Sequence, residues 1–522
     1  MGVSPVERAL MDRLTGEDFP AWRQQAERAR FCSNPVRVAG GAVSADADTG
    51  EVRAEVDTAS HPDGVLLVAC GDRRASVCGS CAEVYRRDMW HLVASGISGR
   101  MSATSSGGAG ARQDTVGSVV PDTVQGHPRL FVTLTAPSFG PVHSARGGGV
   151  CRPRRDTRRT CAHGRLLGCA LTHDSDHPIV GTPICPECYD YTGAVLWNAY
   201  AGELWRRTRV AIDRALAPLV SEVLGTRVSA TGLRDLVRTS YVKVAEFQRR
   251  GLVHLHAVIR LDGIDPDDRG RIVEPPVWAS AGLLASAVRR AVDQAAVALP
   301  STDGRLRVAS WGAQRDVTDV SEGGPVTNTR RLGAYLAKYA TKTASDAVSA
   351  SGALARRFHR LHRGWLRRAV GAHLARMVET AWDLGARRDL EHLRLRKWAH
   401  CLGFRGHFAT KSRVYSVTLG ALRAARRAWR ANQREASGER DVWATGGDGS
   451  TLVIGHWAYA GRGWVKAGDS MLVEQMAREY AIAREEYRRV LCDEKLRRAE
   501  HFSLTWAPVR QRREEMSREA RP

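Results

Sequence analysis

The chain has 522 residues, of which 43% are hydrophobic and 26% are charged, and its formal net charge is +22. These proportions are those of a globular protein, and the length predicts about two to four domains rather than one compact core. So large a positive surplus predicts a polyanionic partner. Nucleic acid fits better than a membrane, because no apolar run approaches the roughly 18 residues that span a bilayer.

The N-terminal stretch MGVSPVERALMDRL lacks the apolar core of a signal peptide, which predicts a cytoplasmic protein. In such a chain, clustered cysteines favour metal sites over disulfides. The first module, residues 1–93, has a β-like stretch at 35–69 and four cysteines, the last two in a Cys-x-x-Cys pair. We predict a zinc-ribbon-like module whose structural Zn²⁺ is held by Cys32, Cys70, Cys78 and Cys81.

Residues 94–126 are rich in glycine, serine and threonine and predict a flexible linker. The run RLFVTLTA then predicts a buried strand that ends before Pro137 and Gly140. It opens a core that we place at residues 127–350.

A second cysteine cluster interrupts this core at about residues 144–190. Its potential soft ligands are Cys151, Cys161, His163, Cys169, His173, His177, Cys185 and Cys188. So dense a set predicts structural zinc, because closed thiolate-rich sites are structural rather than catalytic. The spacing does not decide which four bind. The preferred set is Cys161, Cys169, Cys185 and Cys188, with His163 or His173 as substitutes or as part of a second site.

Residues 189–225 and 278–299 have the apolar periodicity of helices, and a hairpin lies between them. Its strands YVKVAEF and LVHLHAVIRL are joined by the turn QRRG. Side chains alternate along a strand, so His254 and His256 share a face, and a turn centred near residue 250 places Glu246 across from His254. Two imidazoles and a carboxylate suit a divalent cation that also binds substrate oxygens; the alternative is a pair of hydrogen-bonded core histidines.

Residues 328–344 predict a helix on which Tyr335 and Tyr339 share one face beside Lys338 and Lys342. Taken alone, this is an amphipathic helix with tyrosines in its packed face. Near a metal-bound phosphate, a tyrosine hydroxyl beside an ammonium is equipped for nucleophilic attack on phosphorus. Beyond it we predict an arginine-rich helical DNA-binding region at 351–430, and a C-terminal region at 431–522 with a short strand near 451–465 and a helical tail.

In this order, VTLT, HLH and a YxxK helix resemble the three motifs of the His-hydrophobic-His endonucleases that initiate rolling-circle replication. AEFQRRGLVHLHAVIR, GAYLAKYATK and RKWAHCLGFRGHFATKSRVYSVTLGALR are similar to the replication initiators of actinobacterial plasmids and integrative elements. The likeness covers most of residues 30–425.

The resemblance implies an α+β fold in which an antiparallel sheet, related to the ferredoxin-like and RNA-recognition folds, carries helices on one side. It implies that His254 and His256 bind the catalytic cation, Mg²⁺ or Mn²⁺, with Glu246 as a third ligand that relatives do not all share. Tyr339 matches the nucleophile of single-tyrosine initiators, and Tyr335 stands where those carry a glutamate. Phage-type initiators have both tyrosines, so either could attack first, and Tyr339 is the preferred first nucleophile.

The implied reaction nicks one strand at a double-strand origin, which is single-stranded at the nick, and leaves a 5′-phosphotyrosine and a free 3′-OH. A host DNA polymerase would extend that end. The chain has no G-x-x-x-x-G-K-[ST] motif, so we expect a host helicase as partner rather than helicase activity here.

Three other functions are compatible with parts of the sequence. A conjugative relaxase or single-strand transposase would use the same chemistry on another substrate. A non-enzymatic zinc-ribbon DNA-binding regulator would explain the charge and cysteines, but not the histidine hairpin together with the tyrosine helix. An RNA-binding protein could share the sheet, but no candidate strand has an aromatic stacking pattern.

Overall fold

The computed structural model describes residues 4–99, 120–145, 147–151, 159–321, 329–340, 363–437 and 451–490. The described residues fall into two compact units, one from Met1–Cys70 and Val442–Pro522 and the other from Gly71–Asp441. Among the described residues, no helix combines the length and apolarity that crossing a bilayer requires.

The first unit joins the two ends of the chain in one antiparallel sheet. Its elements are α1 (Pro5–Leu14), α2 (Phe19–Arg28), β1 (Val36–Asp46), β2 (Val52–Asp57), β3 (Leu66–Val68), β12 (Thr451–Arg462) and a helix at 467–490. β12 pairs with β1 along its whole length, and β2 and β3 pair with β1 on its other edge. The predicted β-like stretch at 35–69 and the strand near 451–465 are therefore confirmed.

The second unit is built on a six-stranded sheet in which all neighbouring strands are antiparallel. The strands are β4 (Arg129–Leu134), β5 (Val237–Phe247), β6 (Val253–Ile264), β7 (Ile272–Val273), β10 (Arg315–Asp319) and β11 (Ala409–Lys411). The order is β10-β4-β6-β5-β11, with β7 paired to the end of β6. β8 (Ala296–Leu299) and β9 (Arg307–Ser310) form a separate hairpin.

Helices cover both faces of this sheet. They are α3 (Gly79–Ser98), α4 (Tyr191–Leu224), α5 (Leu233–Leu236), α6 (Ala281–Gln294), α7 (Thr329–Ala340), α8 (Arg363–Val370), α9 (Ala372–Leu384), α10 (Leu395–Trp398) and α11 (Leu419–Ala436). Leu130, Val132 and Leu255 pack into the core that α4, α6 and α9 share. On the opposite face, Val244 and Val258 pack with α3 and α7.

The predicted α+β class with an antiparallel sheet is confirmed, as are the strand RLFVTLTA, the histidine hairpin and the helix near 189–225. The helix predicted at 278–299 is confirmed over α6, but its last residues form the strand β8, which pairs with β9. The resemblance implied helices on one side only, and here the structure differs. Helices α4, α6 and α9 pack on the apolar face of β6, and α3 and α7 pack on the face that carries His254, His256 and Val258. Nearly every residue of β6 is therefore buried.

The structure describes parts of the remaining predicted segments. α3 extends through Ser98 into the predicted linker at 94–126, and residues 100–119 lie outside the described residues. The expected helical content of 351–430 is confirmed in its described part, from α8 to α11. The predicted domain boundaries stay predictions.

Candidate active site

The turn between β5 and β6 sets which residues face each other across the hairpin. Gly251 follows the turn with φ 75°, a left-handed conformation that glycine adopts without strain. The pairing register then places Glu246 directly opposite His254 and Val244 opposite His256. The predicted register is confirmed, and both histidines lie on the sheet face that packs against α7.

The two imidazoles and the carboxylate converge on that face. The ring centroids of His254 and His256 are 4.4 Å apart, and Nε2 of His256 lies 3.9 Å from Oε2 of Glu246. β4 runs along the other side of β6, where Thr133 pairs with His256. Its hydroxyl is hydrogen-bonded to Nδ1 of His256 at 3.2 Å, so Nε2 is the ring nitrogen that faces Glu246.

Burial keeps both histidines neutral at physiological pH. It lowers the pKa of His254 to about 4, with a further contribution from the Arg250 guanidinium, and lowers the pKa of His256 to about 3, with a contribution from His254. A neutral imidazole keeps a lone pair, which is the form that binds metal.

Tyr335 reaches the histidine pair from α7. Its hydroxyl lies 3.3 Å from Nε2 of His256, and its ring packs edge-on against Phe131 of β4. Phe131 also stacks on His256, with centroids 5.7 Å apart. Leu336 and Ala337 are buried in the cluster that α7 forms with α3 and with Val244 and Val258 of the sheet. The helix approaches α3 closely at Gly333, where an added Cβ would lie 3.2 Å from Nε1 of Trp90. Packing of α7 between β4 and α3 therefore fixes the height of Tyr335 above the sheet.

The other residues of the YxxK helix are described to different extents. α7 includes Lys338, whose side chain is exposed, and the backbone of Tyr339. Lys342 lies outside the described residues. The structure therefore brings His254, His256 and Glu246 together with Tyr335, and the predicted order of the two tyrosines stays a prediction.

The donor set fits a small divalent cation. Two neutral imidazoles and one carboxylate leave positions open for phosphate oxygens or water. The buried Nδ1 atom of His254 has no hydrogen-bond partner among the described residues, which is the expected state of a ring nitrogen that awaits a ligand.

The predicted cysteines of the first module occupy two settings. In the first unit, the backbone N–H of Cys70 donates to Sγ of Cys32 at 3.3 Å. In the second unit, Cys78 is the N-cap of α3 and Cys81 is buried in its first turn. A zinc site of these four cysteines stays a prediction.

The second cysteine cluster separates into two groups of four potential ligands. One contains Cys161, His163, Cys185 and Cys188, and the other contains His143, Cys151, Cys169 and His173. Cys169 thus lies apart from the set that the sequence favoured, and His163 takes its place. His143 was missed, although the spacing of its sequence GPVHS, eight residues before Cys151, was a usable signal.

Exposed arginines lie on α11, on the α3 side of the sheet. Arg426 pairs with Asp88 of α3, with Nη1 2.7 Å from Oδ1, whereas Arg423 and Arg427 are exposed. α3 in turn packs against α7. A basic surface and the histidine–tyrosine site therefore belong to the same layer of the second unit.

Comparison with known proteins identifies what the chain resembles. A family model described as RepSA, the replication initiator protein of pSAM2, matches residues 18–478. A replication initiator protein of Streptomyces ambofaciens is 39% identical over 491 residues, which cover 93% of this chain and 95% of that protein. No solved structure matches.

Proposed function

The chain belongs to the RepSA family of replication initiator proteins, and we propose that it initiates replication by nicking one DNA strand at its origin through a tyrosine, in the rolling-circle manner. The observation that carries the proposal is the 3.3 Å contact between the Tyr335 hydroxyl and Nε2 of His256, beside Glu246. A nucleophile, a candidate metal ligand and an acidic side chain thus meet on one sheet face.

The proposed cofactor is Mg²⁺ or Mn²⁺, held by His254, His256 and Glu246. When bound, such a cation would polarise the scissile phosphate and offset charge on its non-bridging oxygens. The protein's part is to keep both imidazoles neutral through burial and to aim Nε2 of His256 through its bond to Thr133.

The proposed reaction is a transesterification. A tyrosine hydroxyl attacks phosphorus and gives up its proton, the bond from phosphorus to the 3′-oxygen breaks, and that oxygen leaves as a protonated 3′-OH. The strand's 5′-phosphate remains linked to the tyrosine, so the phosphodiester bond energy is kept for rejoining without ATP. The exposed ammonium of Lys338 on α7 would favour the phenolate.

The two tyrosines are proposed to act in succession. Tyr335 and Tyr339 are four residues apart on α7, so each can approach the same phosphate in turn. One would open the origin, and the other would cleave the regenerated origin and release a circle. A host polymerase would extend the 3′-OH, and a host helicase would separate the strands.

Removing both histidines tests the proposed function. The substrate is a supercoiled plasmid that carries the DNA flanking the coding sequence, with Mg²⁺ or Mn²⁺ added. H254A/H256A should lose nicking by more than the roughly 10–100-fold that loss of an outer-shell partner of a metal ligand costs. DNA binding should stay within about threefold of the wild type, because phosphate contacts and metal chemistry are separable.

His456 provides the matched control, since it is an exposed histidine on β12 of the first unit. H456A should nick at the wild-type rate. Unchanged nicking by a folded H254A/H256A protein would contradict the proposed metal site.

A further inference from the structure

Between residues 143 and 188 of the connection from β4 to α4, the part that the structure describes has no hydrophobic core of its own. This segment spans 46 residues, and its described part has only isolated bridges, such as Val150 with Thr172. Among the described residues of this segment, the buried hydrophobic ones are Cys151, Leu167 and Cys185. A loop of this length inside a compact unit needs another source of folding energy, which small modules commonly take from metal ions.

The first ligand group contains His143, Cys151, Cys169 and His173. Nδ1 of His143 lies 3.3 Å from Nε2 of His173, and that nitrogen lies 3.3 Å from Sγ of Cys169. Sγ of Cys151 completes the group, and all four ligand atoms are within 4.8 Å of one another. Cys151 and His173 are buried, so the group is closed to solvent on one side.

The second group lies at the end of the segment, before α4. Nδ1 of His163 is 3.2 Å from Sγ of Cys188 and 3.8 Å from Sγ of Cys185. Sγ of Cys161 joins them, again with all four ligand atoms within 4.8 Å of one another.

These separations match the edges of a tetrahedron around zinc. With Zn–N of about 2.0–2.1 Å and Zn–S of about 2.3 Å, ligand atoms of one ion lie about 3.3–3.8 Å apart. We propose that this segment binds two Zn²⁺ ions in separate sites, a Cys₂His₂ site of His143, Cys151, Cys169 and His173 and a Cys₃His site of Cys161, His163, Cys185 and Cys188.

The two ligand sets alternate along the chain. The first pair of site one, His143 and Cys151, is followed by the first pair of site two, and the second pairs follow in the same order. Each ion therefore closes a loop that contains ligands of the other. Two interleaved loop closures hold the eight ligands in place together, since the ligands of one site cannot separate while the other ion is bound.

Site one is connected to the histidine hairpin through backbone contacts. The N–H of His143 donates to the carbonyl of Thr182 at 2.9 Å, and its carbonyl accepts from Gly181 at 2.8 Å. Gly181 has φ 89°, and an added Cβ would lie 2.6 Å from the carbonyl carbon of Arg249. The Arg249 guanidinium also donates to the carbonyl of His177 at 3.1 Å. With its ions bound, the segment would therefore hold the turn between β5 and β6 in place, four residues before His254.

Metal counting on single-ligand variants tests the two sites. The full-length protein and its variants are purified with Zn²⁺ and analysed for bound zinc. C151S and C185S should each lose one equivalent relative to the wild type, and the double variant should lose two. The exposed His177 lies beside His173 but outside both groups, so H177A is the matched control and should lose none.

Substitution with Co²⁺ gives a second measurement, the visible absorption spectrum, which reports on the ligands of the bound ion itself. The visible bands of tetrahedral Co²⁺ move to longer wavelength as thiolates replace imidazoles. H143C should therefore keep its metal and shift the spectrum of site one to that of a Cys₃His site. The proposal is overturned if the C151S/C185S double variant loses only one equivalent, if C151S loses no zinc, or if H143C leaves the spectrum unchanged.

The effect on the hairpin rests on the proposed nicking function and is measured separately. C151S should slow nicking by about 10-fold or more, whereas H143C, which keeps the ion, should nick within about twofold of the wild type. Loss of zinc with unchanged nicking would overturn the role in holding the turn alone. If the wild-type protein itself does not nick, the proposed function fails and the zinc counts still decide the two sites.

Discussion

Thr133 is the residue that connects the first strand of the core to the histidine pair. Its hydroxyl is hydrogen-bonded to Nδ1 of His256, and this contact orients the ring whose Nε2 faces Glu246 and Tyr335. The partner of a metal-binding histidine fixes its tautomer and raises its basicity, and its loss commonly costs about 10–100-fold in metal affinity. Under the proposed function, Thr133 is therefore a positioning residue.

T133V keeps the shape of the side chain and removes the hydroxyl. We expect the concentration of Mn²⁺ that half-saturates nicking to rise by about 10-fold, with most of the rate recovered at saturating Mn²⁺. T133S, which restores the hydroxyl, should return the half-saturating concentration to near the wild-type value. An identical Mn²⁺ dependence for T133V and the wild type would contradict this role.

The residue pairs that the sequence predicted are those fixed by local rules. Strand alternation and the QRRG turn suffice to place Glu246 opposite His254, and the structure has that register. Tyr335 and His256 are 79 residues apart in sequence, and their contact depends on how α7 packs. Cys169 belongs to the group of His143, Cys151 and His173. This grouping depends on the path of an irregular segment, and hydrophobic periodicity does not predict that path.

At the scale of elements, α9 holds the β5–β6 turn through one histidine. His373 is buried, its Nε2 is hydrogen-bonded to the carbonyl of Arg250 at 3.1 Å, and its Nδ1 contacts the Tyr191 hydroxyl of α4 at 3.1 Å. A neutral ring satisfies both contacts, with Nε2–H donating and Nδ1 accepting. Burial lowers the pKa of His373 to about 4, while the bond to the Arg250 carbonyl opposes the shift.

This shift predicts a loss of stability in acid. The folded-state pKa lies below the unfolded value of about 6.5, so the unfolded state takes up the proton first. The contribution is present above pH 6.5 and is lost as the pH falls toward 4. The difference in pKa corresponds to a maximum on the order of 3 kcal/mol.

H373Q removes the titrating group and keeps hydrogen-bonding capacity. Urea unfolding at several pH values should show that the wild-type free energy of unfolding falls more steeply between pH 6.5 and 4 than that of H373Q. Parallel curves for the wild type and H373Q would show that His373 does not carry this dependence.

The positions of helices and strands could be predicted from the sequence, but the pairing of distant strands could not. Helix and strand positions followed from apolar periodicity, which α4 and β6 display clearly. The pairing of β12 with β1 joins residues about 400 positions apart, as in Val43 with Ile454, and such pairing has no local signature.

At the scale of the whole molecule, the net charge of +22 predicts how DNA is bound. Each phosphate neutralised by a basic side chain releases condensed counterions, so the logarithm of affinity falls with the logarithm of salt concentration with a slope of about −0.9 per contact. The arginines of α11 are candidates for such contacts, because Arg423 and Arg427 are exposed in the layer that contains α7.

R423Q/R427Q should reduce the steepness of that salt dependence by about 2 units of slope, as expected for two lost phosphate contacts. Arg206 offers the control, since it is exposed on α4 but already paired with Glu203 at 2.7 Å, and R206Q should leave the slope unchanged. Binding of duplex DNA is measured by fluorescence anisotropy across a salt series. An equal loss of slope in R206Q would assign the effect to net charge rather than to α11.

A tyrosine of α7 is proposed to attack DNA beside the histidine pair, and trapping the covalent product tests that attack. Labelled single-stranded oligonucleotides that tile the DNA flanking the coding sequence are incubated with the protein and Mn²⁺, and the linked peptide is identified by mass spectrometry. We expect a 5′-phosphotyrosine adduct on the peptide that contains Tyr335 and Tyr339, lost in the Y335F/Y339F double variant and absent in H254A/H256A. Y335F and Y339F alone assign the order: the family resemblance predicts that Y339F loses the first adduct, and an adduct on Tyr335 alone would reverse the roles. An adduct on neither tyrosine, with DNA bound and cation present, would contradict the nicking mechanism.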